Sequence, residues 1–157
     1  MAPEDTPAPQ RVPFSIHIPF VESIGVELHR HPDGRVEVQL PLQDHLTNSW
    51  QVAHGGVVMT VLDVAMAQAA RAAHPEGHTG MATIEMKTSF LRPAAGRLSA
   101  TGSVLRRTRN MAFCEATLRD GDGHLCAHAT GTFKYVTALV TPDGQARTQT
   151  RRALTDG

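Results

Sequence analysis

The sequence predicts an α+β domain in which one long central helix is wrapped by a mainly antiparallel β-sheet. Three observations lead there. Apolar spacing turns helix-like once, over residues 55–73, and is strand-like on either side. Asp-Gly turn dipeptides at Asp33-Gly34 and Asp122-Gly123 join neighbouring strand runs as hairpins. The helical segment is apolar on every side, through Val57, Val58, Met59, Val61, Leu62, Val64, Ala65, Met66, Ala67, Ala69 and Ala70. Such a helix is expected inside a core, enclosed by other elements.

The elements follow in chain order. Pro3, Pro7, Pro9 and Pro13 deny residues 1–12 a regular structure, so they read as a mobile tail. Residues 21–29 and 35–42 read as strands joined by a turn at His31-Pro32-Asp33-Gly34, and residues 43–53 as a polar loop. The helix begins at Gly55, is dense in Ala, Met, Leu and Gln, and is stopped by His74-Pro75-Glu76-Gly77. Four strands follow over residues 81–92, 97–108, 111–119 and 125–136. Pro93-Ala-Ala-Gly96, Arg109-Asn110 and Asp120-Gly121-Asp122-Gly123 separate them. Residues 138–157 are polar and form a second tail, which leaves 13–137 as the folded domain.

Composition narrows the setting. The 157 residues fit one domain of ordinary size, and 15 basic residues balance 15 acidic ones. A nucleic-acid or anionic-membrane binder would carry a basic excess, so neither partner is expected. Two cysteines, Cys114 and Cys126, are too few for a disulfide scaffold and favour a reducing compartment. The first residues lack the basic and apolar regions of a signal peptide. The longest apolar stretch, residues 57–73, is broken by Thr60, Asp63, Gln68 and Arg71. It is too short and too polar to span a bilayer, so a cytoplasmic location is expected.

Two features carry chemistry. Asp63 lies in the middle of the apolar helix. A carboxylate buried there is costly unless paired or protonated, and perturbed carboxylates concentrate at active sites. The plain alternative is an Asp bonded to a neighbour such as Thr60. His54-Gly55-Gly56 opens the helix, where unpaired backbone N–H groups and the positive end of the helix dipole suit a developing oxyanion. The plain alternative is a tight turn in which glycine avoids a clash. Gly55 and Asp63 are eight residues apart, roughly 12 Å along a helix axis at ~1.5 Å per residue. A reacting carbonyl needs donor and base within about 3 Å, so the two cannot serve one carbonyl within one chain. If both act, Gly55 of one subunit faces Asp63 of another across a two-fold axis.

The run from Asn48 through His54-Gly55-Gly56 to Asp63 resembles the signature of the phenylacetic-acid-pathway (PaaI-like) branch of the hotdog thioesterase superfamily. The likeness extends through residues 83–93 to Phe133-Lys134-Tyr135 and covers about residues 18–136. The resemblance implies a hotdog fold, a homodimer or dimer of dimers, and hydrolysis of acyl-CoA or aryl-CoA thioesters without metal or other cofactor. Carried over by position, it implies that the Gly55 N–H polarises the thioester carbonyl and that Asp63 activates water or attacks directly. Asn48 and His54 would orient the loop and the thioester, and Thr83 would hold the water. Many relatives carry Gly where Gln51 stands, which bears on the acyl pocket rather than the chemistry.

Gly56, Trp50, Met59 and Phe90 are expected to contact substrate. Arg92 beside Pro93, together with Arg106, Arg107, Arg109 and Asn110, are candidates for the phosphates of CoA, against the plain reading of a solvated turn. His124, Cys126 and His128 alternate on one strand, but structural zinc needs four ligands and no fourth is evident, so no metal site is expected. Cys114 alternates with Ala112, Ala116 and Leu118 and reads as core. Two further readings compete with hydrolysis: a hotdog enoyl hydratase or dehydratase, whose His-Phe-Pro stretch is absent, and a non-catalytic acyl-CoA-binding module.

Overall fold

The structure, a computed structural model, describes residues 7–74 and 80–152. The helix stop at Pro75-Glu76-Gly77, His78, and residues 1–6 and 153–157 of the two tails lie outside the described residues. The chain forms β1 (Gln10–Val12), α1 (Pro19–Ser23), β2 (Glu27–Arg30), β3 (Val36–Pro41), a single 3₁₀ turn at Asp44–Leu46, and α2 (Gly55–Ala72). Then come β4 (Gly80–Phe90), β5 (Arg97–Arg107), β6 (Met111–Arg119), β7 (Leu125–Val136), β8 (Leu139–Val140) and β9 (Ala146–Arg147).

Seven strands make one antiparallel sheet in the order β1-β2-β3-β5-β6-β7-β4, and α2 lies across its inner face. Alternation sets that face: Ala112, Cys114, Ala116 and Leu118 of β6 and Ala129, Phe133 and Tyr135 of β7 are buried, while the residues on either side of each are more exposed. Burying apolar side chains such as Leu62, Met66, Leu98 and Phe133 contributes about 1.5–3 kcal/mol each. The helix approaches β5 so closely that a Cβ on Gly102 would stand 2.3 Å from the Ala65 carbonyl oxygen. At the far end of α2, the Tyr135 hydroxyl donates to the Ala70 carbonyl at 2.9 Å, satisfying one of the acceptors a helix C-terminus leaves open. This is the hotdog arrangement that the sequence predicts.

Four expectations are corrected. Residues 10–12 do not belong to a tail: Pro9 and Pro13 bracket three residues with free N–H groups, and these pair with Leu28–Arg30 at the sheet edge. Residues 21–23 are helical, because Pro19 opens α1 and the Glu22 carboxylate accepts the Ile18 N–H at 3.0 Å. In the second tail, β8 and β9 form a small ribbon, and the strand-like segment around Arg151 pairs with Ile16. Finally, α2 is not enclosed on all sides. Gly56 and Met59 are exposed, and Asp63 and Ala67 are half-buried, so an open stripe runs along one face.

Candidate active site

The site is built from the loop that feeds α2. Asn48 folds this loop upon itself. Its backbone N–H donates to the Val52 carbonyl at 2.8 Å, and its side-chain Oδ1 accepts the Trp50 and Val52 N–H groups at 2.9 and 3.4 Å. Asn48 is therefore a brace for the loop. Gln51 closes the turn with φ at +59°, the left-handed region that favours glycine. Replacing Gln51 with Gly should relieve that conformation and leave the fold unchanged or more stable, by up to about 1 kcal/mol. Chemical denaturation checks this, and a clear loss of stability would show that the Gln51 side chain makes contacts worth more than the strain.

His54 caps α2. Its extended backbone (φ −61°, ψ 140°) turns the chain into the helix, and its Nδ1 accepts the Gly56 N–H at 2.9 Å. The His54 carbonyl takes the N–H groups of Val57 and Val58. That leaves the Gly55 N–H without a partner among the described residues, at the positive end of an 18-residue helix. It faces a cleft of about 590 Å³ whose lining includes Asn48, Trp50, Gly55, Phe90, Arg92 and Pro93. The Phe90 ring stands 3.6 Å from where a Gly55 Cβ would lie. Trp50 is 80% exposed at the rim. Five other residues that the sequence marks thus share one cleft with the Gly55 donor.

Asp63 stands apart from that cleft on the open stripe of α2. The Thr83 hydroxyl donates to Asp63 Oδ1 at 2.8 Å, whereas the Thr60 hydroxyl donates instead to the Gly56 carbonyl. Thr83 is aimed there by a break in register between Thr83 and Glu85 opposite Phe133 and Thr132, which sets Ile84 out of the ladder. Burial pushes the Asp63 carboxyl above its ordinary value, and the Thr83 bond offsets only part of this. No cation pairs with it among the described residues. The result is a weakly compensated carboxylate, which is what a base or nucleophile requires.

Other marked residues lie elsewhere. Met59 and Gly56 sit on the open stripe rather than in the cleft. Arg106 and Arg107 end β5, and Arg109 and Asn110 form its turn into β6. The Asn110 carbonyl accepts the Tyr135 N–H there, next to the Gly80 end of β4. Phe90, at the other end of β4, is ten residues or roughly 33 Å away at ~3.3 Å per residue. Within one chain these groups do not join the cleft. Cys114 is core, its thiol pushed up to about 11 by burial. Cys126 is buried against the Pro93 carbonyl, while His128 pairs with Glu115 and His124 with Asp120. Asp120 is occupied bracing its hairpin through the N–H groups of Asp122 and His124. Cys126 and Leu91 line the cleft unannounced by the sequence. A register shift at Leu118/Arg119 buries both Cys126 and Ala127, and no alternation pattern signals such a shift.

Comparison with known proteins bears on this geometry. The family model for the thioesterase superfamily matches residues 51–127. The medium/long-chain acyl-CoA thioesterase YigI of Salmonella typhimurium is 29% identical over 135 residues, covering 76% of this chain and 87% of that protein. A Shewanella oneidensis protein related to the thioesterase superfamily is 30% identical with a TM-score of 0.69, over 76% of this chain and 88% of the other. The Bacillus halodurans protein BH2602, solved with CoA, superposes with a TM-score of 0.72 at 26% identity, over 76% of this chain and 80% of that one.

Proposed function

Because the chain belongs to the thioesterase superfamily, we propose that this thioester hydrolase cleaves acyl-CoA, with each active site assembled from two copies of the chain. One observation carries the reading. The free Gly55 N–H and the desolvated Asp63 carboxylate lie on one helix but open on different surfaces, roughly 12 Å apart along its axis.

A second copy supplies what each chain lacks. β4 is a sheet edge of 11 residues whose outer side pairs with nothing among the described residues, and it exposes Ile84 and Phe90. Unpaired edges of that length invite pairing. Antiparallel pairing of two β4 edges about a two-fold axis sets the Phe90 end of one chain beside the Gly80 end of the other. The open stripe of each α2 then faces its counterpart. Asp63 and the Arg107–Arg109–Asn110 turn of the partner thereby approach the Gly55 cleft, and two equivalent sites form per dimer. A dimer of dimers leaves this pairing intact.

In each site the Gly55 N–H donates to the thioester carbonyl oxygen and holds the negative charge that develops as the carbon becomes tetrahedral. The partner's Asp63, bonded to Thr83, takes a proton from the attacking water or attacks the carbonyl carbon itself. The carbon–sulfur bond breaks and CoA leaves as the thiolate. Where water attacks, the free acid forms directly; where Asp63 attacks, a water then hydrolyses the acyl–Asp63 anhydride to the free acid and restores the carboxylate. Thr83 donates to the carboxylate and keeps lone pairs for a water. The names of YigI and of BH2602 with its CoA support the choice of acyl-CoA, as does the apolar lining of Val52, Val58, Phe90 and Leu91.

A panel of acyl-CoAs followed by free-thiol release tests the activity. A hydratase would alter enoyl absorbance without releasing thiol, and a binding module would release nothing. Gly55 also permits a sharp test of the donor. It occupies the first helical position, where proline is tolerated, and His54 already has the extended backbone that precedes proline. Gly55→Pro should therefore keep the fold yet lower kcat by roughly 10²–10³-fold. Gly55→Ala, whose Cβ would meet Phe90 at an ordinary 3.6 Å, should retain most activity. Equal rates for the two variants would remove the amide from the mechanism.

A further inference from the structure

At the other end of α2 from Gly55, sixteen residues and roughly 24 Å along the axis, a cavity of about 300 Å³ is lined by Ser15, Arg30, Gln68 and Arg71 together with apolar groups. Arg71 is only 8% exposed and is the one charged residue among the buried ones described. Its guanidinium donates to the neutral Gln149 Oε1 at 2.8 Å, and no carboxylate of the described residues pairs with it. Burial and the nearby Arg151 both work against its charge. Among the described residues no acidic side chain lines the cavity. A buried guanidinium is normally compensated by an anion. Here the helix C-terminus and the Gln149 amide offer only partial charges.

We propose that this cavity is an oxyanion-binding site, separate from the catalytic cleft, which takes a phosphate group through Arg71 and Arg30 with the Ser15 hydroxyl and Gln68 amide alongside. Arginine presents paired N–H donors that match phosphate oxygens, and charge-assisted bonds of that kind strengthen where water is scarce. Such a group comes either from inorganic phosphate or from a phosphorylated metabolite. In both cases it neutralises the cluster formed by Arg30, Arg71 and Arg151.

The test is a titration of the full-length chain with inorganic phosphate, and separately with glycerol phosphate, against chloride at matched ionic strength. Calorimetry and the thermal midpoint are the readouts. Saturable binding at one site per chain is expected, with the midpoint rising by about 5 °C or more near 100-fold excess over Kd. Arg71→Gln should weaken binding at least about tenfold, and Arg30→Gln, an exposed position, by several-fold, while thiol release without phosphate stays unchanged. Tighter binding of glycerol phosphate would point to an organic ligand, and equal or weaker binding to free phosphate. If Arg71→Gln does not fold, Arg30→Gln decides. Three results would overturn the proposal: no shift beyond that of chloride, wild-type affinity in the folded arginine variants, or binding that CoA displaces and Arg92→Gln abolishes.

Discussion

Asp63→Asn is expected to lower thioester turnover by roughly 10²–10⁴-fold while raising, not lowering, the stability of the fold. The first effect follows from removal of the proton acceptor or nucleophile. The second follows from the direction in which burial moves its carboxyl. The folded-state pKa is raised above the ordinary 3.8, so the folded chain holds the proton more tightly than the unfolded chain. The stability gained from that proton is fully present below the unfolded value and is lost as pH rises through the folded one. At neutral pH the ionised side chain is thus a burden that Asn lifts, by about 1 kcal/mol or roughly 2–4 °C in Tm for a chain of this length. The gain should disappear in melts run below about pH 4. A variant as active as the parent would reject the role of Asp63. A variant that melts lower at pH 7 would reject the claim that its charge is poorly compensated. In the parent, kcat/KM should fall on the acid side with an inflection above that of an ordinary carboxylate.

Two inactive variants should rescue one another. Gly55→Pro chains and Asp63→Asn chains, mixed in equal amounts and allowed to exchange subunits, form about half heterodimers. Each heterodimer has one site carrying both lesions and one carrying neither, so about a quarter of parental activity per chain should return. Size-exclusion chromatography coupled to light scattering confirms the dimer, and differently tagged chains confirm the exchange. Activity that stays near zero after exchange would reject a site shared between two chains.

Much of the fold was legible because its signals are local. The Asp33-Gly34 and Asp122-Gly123 turns, the alternation in residues 111–119 and 125–136, and the apolar run after Gly55 each report on neighbouring residues. The separation of Gly55 from Asp63 was legible as well, since helix rise alone sets it. What stayed hidden depends on contacts distant in sequence. Residues 10–12 are a strand only because β2 has a free edge beside them. Thr83 bonds Asp63 because a bulge turns it. Cys126 joins the cleft because Pro93, 33 residues earlier, covers it. The isolation of the Gly55 amide depends on the His54 ring having taken its neighbour, a side-chain geometry that His-Gly-Gly as a string does not reveal.

The contact between Gly102 and the Ala65 carbonyl bears on how such a chain can change its substrate. Any side chain at position 102 would push α2 off the sheet and displace Asp63, two residues before Ala65, along with it. The segment of α2 that carries Asp63 is thus anchored through main-chain contact to the middle of β5. The loop bearing Trp50 and the strand end bearing Phe90 and Leu91 are under no such constraint. Evolution can therefore vary the lining of the cleft's rim while Asp63 stays where it is.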